Sequence, residues 1–457
     1  MEMQIISTTC ITPSSPTPSY LRTYKISLLD QLMPSTCYPT ILYYPFPQLQ
    51  TQTDTIISKR SLLLKQSLSE TLSRFYPLAG RIKDSLSVDC NDEGVCYVEA
   101  RVKNISLSEF LDRPDLCSMG KLLPLFVSLP TETTGSFAIK IQETTFACGG
   151  LAIGFFVCHT VCDGIAFSSF LKDWAATAAF KSCEENTNVH DILRPYLDSS
   201  SVFLQNDAFS KEVRNTADLS RPFIKKMKLR TKRFVFDSSS IACLKDEAIR
   251  LGVENATRLE VVIAVLSKCL MRILNAKSGT DKPLAVILAV NLRRRAAPPF
   301  PECSFGNFVL QAEAVFKPEE AELSSLVHQL KESVGKFNAE FVKKLQGDGG
   351  YAELDKMLTS TSKTLSGSSQ EGSEFVMFGS WCNFGMYEID FGWGKPVWTS
   401  WVGSGHTSKI DSVNSIVLFD TGKDKGIEAW AYLDEQVLLL LEKDEDLLQY
   451  VCVDPNP

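Results

Sequence analysis

Residues 151–164 read Leu-Ala-Ile-Gly-Phe-Phe-Val-Cys-His-Thr-Val-Cys-Asp-Gly, an apolar run that ends on a histidine and a turn. The length of the run and its β-branched and aromatic side chains predict a buried strand over Leu151–Cys158. A histidine at the end of such a strand is held firmly and can still expose one ring nitrogen. Near neutral pH an imidazole takes up a proton and returns it, as a general base must. The stretch therefore predicts a buried strand that presents His159 as a base.

Around this strand the first half of the chain alternates between helical and extended patterns. Leucines at helical spacing predict an amphipathic helix over residues 56–74, which ends before Tyr76 and Pro77. Other apolar segments predict short strands at 24–31, 39–45, 95–102 and 136–143. We expect the last of these to pair with the strand that leads into His159.

The second half repeats this alternation after a polar, aperiodic segment. Residues 183–230 are expected to cross the surface as a long connection. A long helix is predicted to begin near residue 255, where Thr257 and Glu260 have capping-box spacing. Residues 346–373 are rich in Gly and Ser and are expected to form a surface loop. The apolar patterns predict strands at 233–237 and 284–290.

The composition is that of a folded globular protein with more than one domain. Of the 457 residues 44% are hydrophobic and 22% charged, so two domains of about 200 residues each are expected. The formal net charge of −7 argues against a nucleic-acid partner, because such surfaces usually carry a basic patch. No apolar run reaches the roughly 20 residues that a membrane span requires, so no membrane association is expected.

Fourteen cysteines at irregular spacing predict neither a disulfide framework nor a metal site. The N-terminus lacks a basic region followed by a sustained apolar stretch, so we expect a cytoplasmic protein with free thiols. Cys158, His159, Cys162 and Asp163 resemble a metal cluster, but the sequence contains no second Cys/His pair at zinc-site spacing. We therefore expect no bound metal.

Two motifs and several shorter landmarks resemble those of one enzyme family. His159-x-x-x-Asp163-Gly164 is followed far downstream by Asp390-Phe-Gly-Trp-Gly394, and this pair in this order is similar to the signature of the BAHD acyltransferases of plants. These enzymes move an acyl group from coenzyme A to an alcohol or an amine. Further landmarks in family order are Leu28-Leu-Asp30, Tyr76-Pro-Leu-Ala-Gly-Arg81, Asn291-Leu-Arg293 and Ser304-Phe-Gly-Asn307.

The resemblance implies an α/β fold of two chloramphenicol-acetyltransferase-like domains, each with a mixed sheet and helices. We expect an N-terminal domain over residues 1–182, a crossover over 183–230 and a C-terminal domain over 231–457. The resemblance places His159 at their interface, in a channel that coenzyme A enters from one face and the acceptor from the other. It implies no permanent cofactor, because acetyl-CoA acts as a co-substrate.

Two roles are open for Asp163. It can orient the imidazole as the carboxylate of a catalytic triad. In proteins that this chain resembles, the matching carboxylate instead turns away and pairs with an arginine, here Arg293, and we favour this structural role. Losing one partner of such a buried pair costs on the order of 3–5 kcal/mol.

The downstream motif is not a dinucleotide-binding fingerprint, because no third glycine follows at the required spacing. The resemblance implies that Gly392, Trp393 and Gly394 support the coenzyme A end of the channel. Asp390 is expected to support this loop, and a second acid–base role is its alternative. Trp381 is a candidate oxyanion donor, since an indole N–H stabilises developing negative charge, and a packed core tryptophan is the equal alternative.

The chain contains four histidines, which narrows the choice of base. His190 lies in the polar crossover and His328 in a helical pattern, so both are expected at the surface. His406, in a glycine-rich segment, is the remaining alternative to His159.

These observations predict a monomeric acyl-CoA:alcohol O-acyltransferase of plant specialised metabolism. Ser380-Trp-Cys382 and Gly392-Trp-Gly-Lys-Pro396 resemble an acetyl-transferring subgroup that acts on alkaloid and terpenoid alcohols. The expected partners are acetyl-CoA and a small-molecule alcohol. Two alternatives stay open: a non-catalytic ligand-binding protein of the same fold, and an acyl-CoA thioester hydrolase without an acceptor.

Overall fold

Two mixed β-sheets with helices packed on them form most of the protein. The structure is a computed structural model that describes residues 1–34, 36–46, 53–124, 135–182, 194–207, 220–370, 372–402 and 410–457. The strands are β1 (Met3–Ile11), β2 (Thr23–Lys25), β3 (Cys37–Tyr44), β4 (Arg81–Ile82), β5 (Ser87–Asp89), β6 (Val95–Val102), β7 (Ile139–Thr145), β8 (Leu151–Cys158), β9 (Lys225–Met227), β10 (Leu229–Phe236), β11 (Leu284–Asn291), β12 (Val309–Phe316), β13 (Glu374–Ser380), β14 (Trp398–Ser400), β15 (Ile410–Ser412), β16 (Asn414–Asp420), β17 (Ile427–Asp434) and β18 (Cys452–Val453). The α-helices are α1 (Leu28–Gln31), α2 (Thr53–Arg74), α3 (Leu107–Asp112), α4 (Leu116–Lys121), α5 (Gly164–Ser182), α6 (Ser199–Val202), α7 (Ser238–Arg250), α8 (Arg258–Ser278), α9 (Leu323–Gly335), α10 (Ala339–Lys344), α11 (Gly350–Gln370), α12 (Glu435–Leu441) and α13 (Glu445–Leu448). Short 3-10 helices cover Ser19–Leu21, Tyr76–Ala79, Arg221–Phe223, Arg293–Arg295, Pro318–Glu320, Gly347–Gly349 and Met386–Glu388.

Each large sheet contains both parallel and antiparallel pairs. The six-stranded sheet has the order β1-β6-β7-β8-β3-β14, in which β6 and β7 run parallel. The seven-stranded sheet has the order β12-β11-β13-β16-β17-β10-β18, in which β13 runs parallel to both of its neighbours. Two small sheets, β2-β5-β4 and β15-β9, accompany them. The predicted α/β class with mixed sheets is confirmed.

The strand that carries the histidine motif lies inside the six-stranded sheet. β8 covers Leu151–Cys158, as predicted, and β7 and β3 pair with its two edges. Its side chains are buried except for the half-buried Phe156, which explains why the sequence is apolar throughout and does not alternate. The strand end is fixed by a backbone hydrogen bond of 3.0 Å from the His159 N–H to the Thr36 carbonyl.

Helices cover each sheet and close a separate hydrophobic core. The buried face of α2, which includes Leu64, Leu68 and Leu72, packs with α5 in the core of the six-stranded sheet. α8 lies in the core of the other sheet, and its predicted capping box is present. The Thr257 side chain accepts from the Glu260 N–H, and the Glu260 carboxylate accepts from the Thr257 N–H at 2.8 Å.

The two halves of the chain exchange elements. β14 belongs to the second half but pairs with β3, so that Trp398 lies opposite Tyr43 and closes the edge of the first sheet. Conversely, Leu28 and Leu29 of α1 are buried in the core of the seven-stranded sheet. The two halves of the chain therefore interlock.

The strand predicted over residues 24–31 is wrong in its second part. β2 ends at Lys25, and α1 begins at Leu28. Ser27 caps this helix, and the Asp30 carboxylate accepts the Ser27 N–H in return at 2.9 Å. The Ser-x-x-Asp spacing is a capping signal that outweighs the apolar run.

The loop predicted over residues 346–373 is also wrong, because most of it forms α11 (Gly350–Gln370). Leu354, Leu358, Thr361 and Leu365 are buried and recur at helical spacing. Gly and Ser lower helix propensity by at most about 1 kcal/mol per residue. Burial of the apolar face outweighs that cost.

In the part of the chain that the structure describes, no helix combines the length and the apolar character needed to cross a bilayer. The cysteines within these ranges carry free thiols. Among the same residues, no group of three or more His, Cys, Asp or Glu side chains is arranged to hold a metal ion.

Candidate active site

His159 lies at the end of β8, where the two halves of the chain meet. Its half-buried ring stands edge-on to Tyr38 of β3, with ring centroids 5.3 Å apart. Its Nδ1 lies 3.0 Å from Oδ1 of Asn307, which precedes β12 in the second half. The imidazole is therefore held by residues from both halves.

The Asn307 amide fixes the tautomer of this imidazole. Its Nδ2 donates to Oδ1 of Asp30 at 2.7 Å and to the His159 carbonyl oxygen at 2.8 Å. Because both amide hydrogens are used, the amide oxygen that faces the ring accepts a hydrogen bond from Nδ1–H. The neutral imidazole thus carries its proton on Nδ1 and its lone pair on Nε2.

Electrostatics favours the neutral form of this ring. Burial lowers the pKa of His159 below its usual value, because desolvation penalises the imidazolium. A hydrogen bond of the ring with its own backbone, the charge of Asp163 and the hydrogen bond to Asn307 oppose this effect in part. A neutral imidazole with a free Nε2 is the form that a general base requires at neutral pH.

Asp163 uses both carboxylate oxygens on groups other than the imidazole. It accepts hydrogen bonds from Arg293 Nη1 at 2.7 Å and Nη2 at 3.1 Å, and from the Phe308 N–H at 2.9 Å. It also accepts the N–H groups of Ile165 and Ala166 at the start of α5, at 3.1 and 2.9 Å. These contacts fix the turn that follows His159.

Arg293 joins this turn to the segment 304–308. The side chain is fully buried, and its Nη2 also donates to the carbonyls of Ser304 at 2.8 Å and Gly306 at 3.3 Å. Its guanidinium lies 4.6 Å from the centroid of the Phe308 ring. The segment that contains Asn307 is therefore linked through Arg293 to Asp163 in the turn that follows His159.

Gly164 brings the turn close to an aromatic cluster that contains Trp381. A Cβ at Gly164 would lie 2.6 Å from Cε2 of Phe384 and 3.4 Å from Cε2 of Trp381. The Trp381 ring is buried, stacks on Phe419 at 5.4 Å and meets the edge of Tyr38 at 5.2 Å. Trp381 is thus packed in the core and is also a neighbour of the ring that contacts His159.

The Asp390–Gly394 motif forms a tight loop that anchors the second half on the first. Oδ1 of Asp390 accepts the N–H groups of Gly392 at 2.8 Å and Gly394 at 2.9 Å. Both glycines have positive φ, +101° and +113°, which other residues rarely adopt. Phe391 is buried in the core of the six-stranded sheet, and Trp393 stacks on it at 5.6 Å.

The other histidines give no competing site among the described residues. His328 is exposed on α9, where its Nδ1 lies 2.8 Å from the Ser324 carbonyl oxygen. His190 and His406 lie outside the residues that the structure describes.

Asp30 and Asn307 are the site residues that the sequence did not single out. They are 277 positions apart, yet Asn307 donates its backbone N–H at 2.6 Å and its Nδ2 at 2.7 Å to Oδ1 of Asp30. Both belong to recognised landmarks, Leu28-Leu-Asp30 and Ser304-Phe-Gly-Asn307. The landmarks were therefore the one feature of the sequence that pointed to these residues, but they did not predict a role for either of them.

Comparisons with known proteins find relatives along the length of the chain. A family model described as Transferase family matches residues 1–448. Epi-neemfruitin B 7-O-acetyltransferase of Melia azedarach is 44% identical, and limonoid 7-O-acetyltransferase of Citrus sinensis is 42% identical, each alignment covering 100% of both chains. Stemmadenine O-acetyltransferase of Catharanthus roseus is 36% identical over 97% of both chains.

The fold is also that of a solved relative. The crystal structure of vinorine synthase aligns with a TM-score of 0.75 and 32% identity, covering 98% of each chain. The predicted acyl-CoA-dependent O-acetyl transfer to a plant specialised metabolite is confirmed by these relatives. Acyl-CoA is the co-substrate, and a small-molecule alcohol is the acceptor. The chain belongs to the BAHD family of acyl-CoA-dependent acyltransferases.

Proposed function

We propose that this protein transfers the acetyl group of acetyl-CoA to the 7-hydroxyl of a limonoid. The observation that carries this choice is a difference in identity among the relatives. Two enzymes named for limonoid-type 7-O-acetylation are 44% and 42% identical to the chain. Those named for limonoid positions 1 and 21 are 33% to 35% identical, and the stemmadenine enzyme is 36% identical.

His159 is the general base of the proposed reaction. Nε2 removes the proton of the acceptor hydroxyl while the oxygen attacks the thioester carbonyl carbon. The tetrahedral intermediate collapses, the carbon–sulfur bond breaks, and the coenzyme A thiolate takes the proton from the imidazolium. No covalent acyl-enzyme forms. The Nδ1–H tautomer held by Asn307 supports this role, because it leaves Nε2 unprotonated.

The neighbouring motifs have supporting roles in this proposal. Asp163 and Arg293 hold the histidine turn, and Trp381 is the candidate donor to the oxyanion. Asp390 shapes the loop of Gly392, Trp393 and Gly394, which we assign to the coenzyme A side of an interface channel. The proposed domains are residues 1–182 and 231–457, with residues 183–230 as the crossover.

We further propose that the enzyme works as a monomer in the cytosol, without a nucleic-acid partner. His159 and the residues that hold its turn, Asn307, Asp163 and Arg293, contact one another within one chain. The free thiols of the described cysteines suit a reducing compartment. The net charge of −7 disfavours nucleic acid.

A panel of acceptors tests the proposed substrate. The purified protein is incubated with acetyl-CoA and, separately, with limonoids that carry a single free hydroxyl at position 1, 7 or 21, and with stemmadenine. Mass spectrometry reads the gain of an acetyl group, and NMR of the product locates it. We expect transfer to the 7-hydroxyl to be fastest.

The same assay separates the alternative functions by thiol release. A transferase releases thiol only when the acceptor is present, a hydrolase releases it without acceptor, and a ligand-binding protein releases none. Faster acetylation of stemmadenine than of the 7-hydroxy limonoid would contradict the acceptor assignment while leaving the family assignment intact.

A further inference from the structure

Asp30 is a fully buried carboxylate that contacts Asn307 and not the imidazole. Its Oδ1 accepts two hydrogen bonds from Asn307, from the backbone N–H at 2.6 Å and from Nδ2 at 2.7 Å. Its Oδ2 accepts two from Ser27, from the N–H at 2.9 Å and from Oγ at 2.6 Å. All four hydrogen bonds point toward the carboxylate, which is the pattern that an ionised group requires.

The charge on Asp30 selects one of two orientations of the Asn307 amide. In the observed orientation, Nδ2 faces two acceptors, the Asp30 carboxylate and the His159 carbonyl. The flipped amide would place its oxygen against both acceptors and its NH₂ group against Nδ1 of the ring. That arrangement loses two hydrogen bonds, and it stabilises the imidazole tautomer with the proton on Nε2.

We propose that Asp30 is a positioning residue that sets the reactive tautomer of His159 through Asn307. This inference rests on the proposed role of His159 as the base. An ionised Asp30 holds the amide, the amide oxygen holds the proton on Nδ1, and Nε2 stays free for the acceptor hydroxyl. The Asp30 carboxylate is bonded to Ser27 and Asn307 and not to the imidazole, so it acts on the ring through Asn307.

The surroundings of Asp30 show that a charge here is retained against an electrostatic penalty. Burial raises the pKa of Asp30 to about 6, and hydrogen bonds from Ser27 and Asn307 oppose this shift. The titratable groups that sense its charge are Tyr24 and Cys162, whose pKa values are raised mainly by burial and further by this carboxylate. Neither group supplies a positive charge. Strongly perturbed buried carboxylates of this kind cluster at functional sites.

Asp30→Asn is the direct test. The new amide places its NH₂ group against either Ser27 or Asn307, both of which donate hydrogen bonds at this position. The preference of the Asn307 amide for its observed orientation is therefore weakened. We expect kcat to fall about 10- to 100-fold, less than the 10²–10⁴-fold loss typical of removing a general base, with little change in KM for acetyl-CoA. Glu109→Gln is the matched control, because Glu109 forms the same capping box with Ser106 in α3. This control should keep wild-type kcat.

The tautomer itself is read by NMR of protein labelled with ¹⁵N-histidine, which is practical because the chain has four histidines. In the wild type we expect His159 to carry its proton on Nδ1, and in Asp30→Asn we expect both tautomers. A wild-type ring protonated on Nε2, or an Asp30→Asn ring that stays fully in the Nδ1–H form, overturns the inference.

This readout does not depend on catalysis, so it separates two failures. If His159→Ala remains active, the proposed base is wrong even when the tautomer behaves as expected. If Asp30→Asn does not fold, Asn307→Ala takes its place, because it keeps the carboxylate and removes the relay. Asn307→Ala with wild-type kcat and a retained Nδ1–H tautomer would overturn the inference as well.

Discussion

Burial and the Asn307 amide act on His159 in different ways. Burial lowers the pKa of the ring and so sets the fraction that is neutral. The Asn307 amide sets which nitrogen is free, because its oxygen accepts from Nδ1. A general base needs both conditions at once. A neutral ring that carries its proton on Nε2 cannot take a proton from the acceptor hydroxyl at that nitrogen.

Replacing His159 by alanine should abolish acetyl transfer without unfolding the protein. We expect kcat to fall by a factor of roughly 10²–10⁴ because the general base is lost. The melting temperature and acetyl-CoA binding should stay near wild type, since the side chain loses only its hydrogen bonds with Asn307 and with its own backbone. Steady-state kinetics, a thermal melt and calorimetry measure these three quantities. Retention of more than about a tenth of the wild-type turnover would place the base elsewhere, with His406 as the next candidate.

The pH profile should report the lowered pKa of the same ring, and protonation of Asp30, whose pKa is raised by burial to about 6, should add to the loss of activity on the acid side. The reactive form is the neutral imidazole, so kcat/KM should rise with pH and level off once His159 has lost its proton. Because burial lowers the pKa below the ordinary value of 6.5, the midpoint should lie below pH 6.5 and activity at pH 7 should be near its plateau. A midpoint clearly above 6.5 would mean that the imidazolium is stabilised, contrary to the structure.

Asp163 and Arg293 should matter first for stability. Asp163→Asn and Arg293→Met each leave a buried partner uncompensated, which costs about 3–5 kcal/mol, so both should lower the melting temperature and the soluble yield. Arg294→Met is the matched control, because Arg294 pairs with Glu302 at 2.5 Å in an exposed position. Exposed pairs contribute about 0–1 kcal/mol. An Asp163→Asn protein with an unchanged melting temperature and very low turnover would support a triad instead.

The turn between β8 and α5 presents the proposed base, and Gly164 at the start of α5 lies against an aromatic cluster. A Cβ there would lie 2.6 Å from the Phe384 ring, so Gly164→Ala should displace Phe384 and, through it, Trp381. Overpacking of this kind costs about 1–3 kcal/mol, and we expect lower turnover together with a lower melting temperature. Gly120→Ala in α4 is the control, because no atom other than those of its chain neighbours and its own helix backbone lies within 4 Å of the added Cβ. Equal turnover and equal melting temperatures of the two variants would show that Phe384 moves aside without disturbing the turn.

Elements with a strong local signal were predictable, and those that depend on competing signals were not. β8 was predicted over its full length because the apolar run has the length and the β-branched and aromatic side chains of a buried strand. α8 was found through its capping box. α11 was missed because Gly and Ser dominated the composition, although its buried positions repeat at helical spacing. α1 was missed because the capping pair Ser27 and Asp30 lies inside an apolar run.

The interlocking of the two halves explains why only part of the site could be read from the sequence. His159 and Asp163 stand in one short motif, so their proximity is local. Asn307 and Asp30 reach the same site because α1 packs into the second core, and this long-range exchange leaves no periodic signal along the chain. Pairing of β14 with β3 is of the same kind. The motifs thus point to the proposed base, and tertiary packing supplies the residues that contact it.

The enzyme as a whole should prefer acetyl-CoA over bulkier acyl donors. The most similar relatives named above are acetyltransferases, and a donor site sized for a methyl group excludes an aromatic ring by steric clash. One added methylene changes binding by only about 1–3 kcal/mol, so propionyl-CoA should still react, roughly 10- to 200-fold less efficiently. Benzoyl-CoA should give no detectable product. Competition among the three donors for one accepted alcohol, with products resolved by mass spectrometry, measures the ratios of kcat/KM directly. Benzoyl transfer at or above the acetyl rate would show a roomy donor site, and it would contradict the acetyl preference while leaving His159 and the fold of the family untouched.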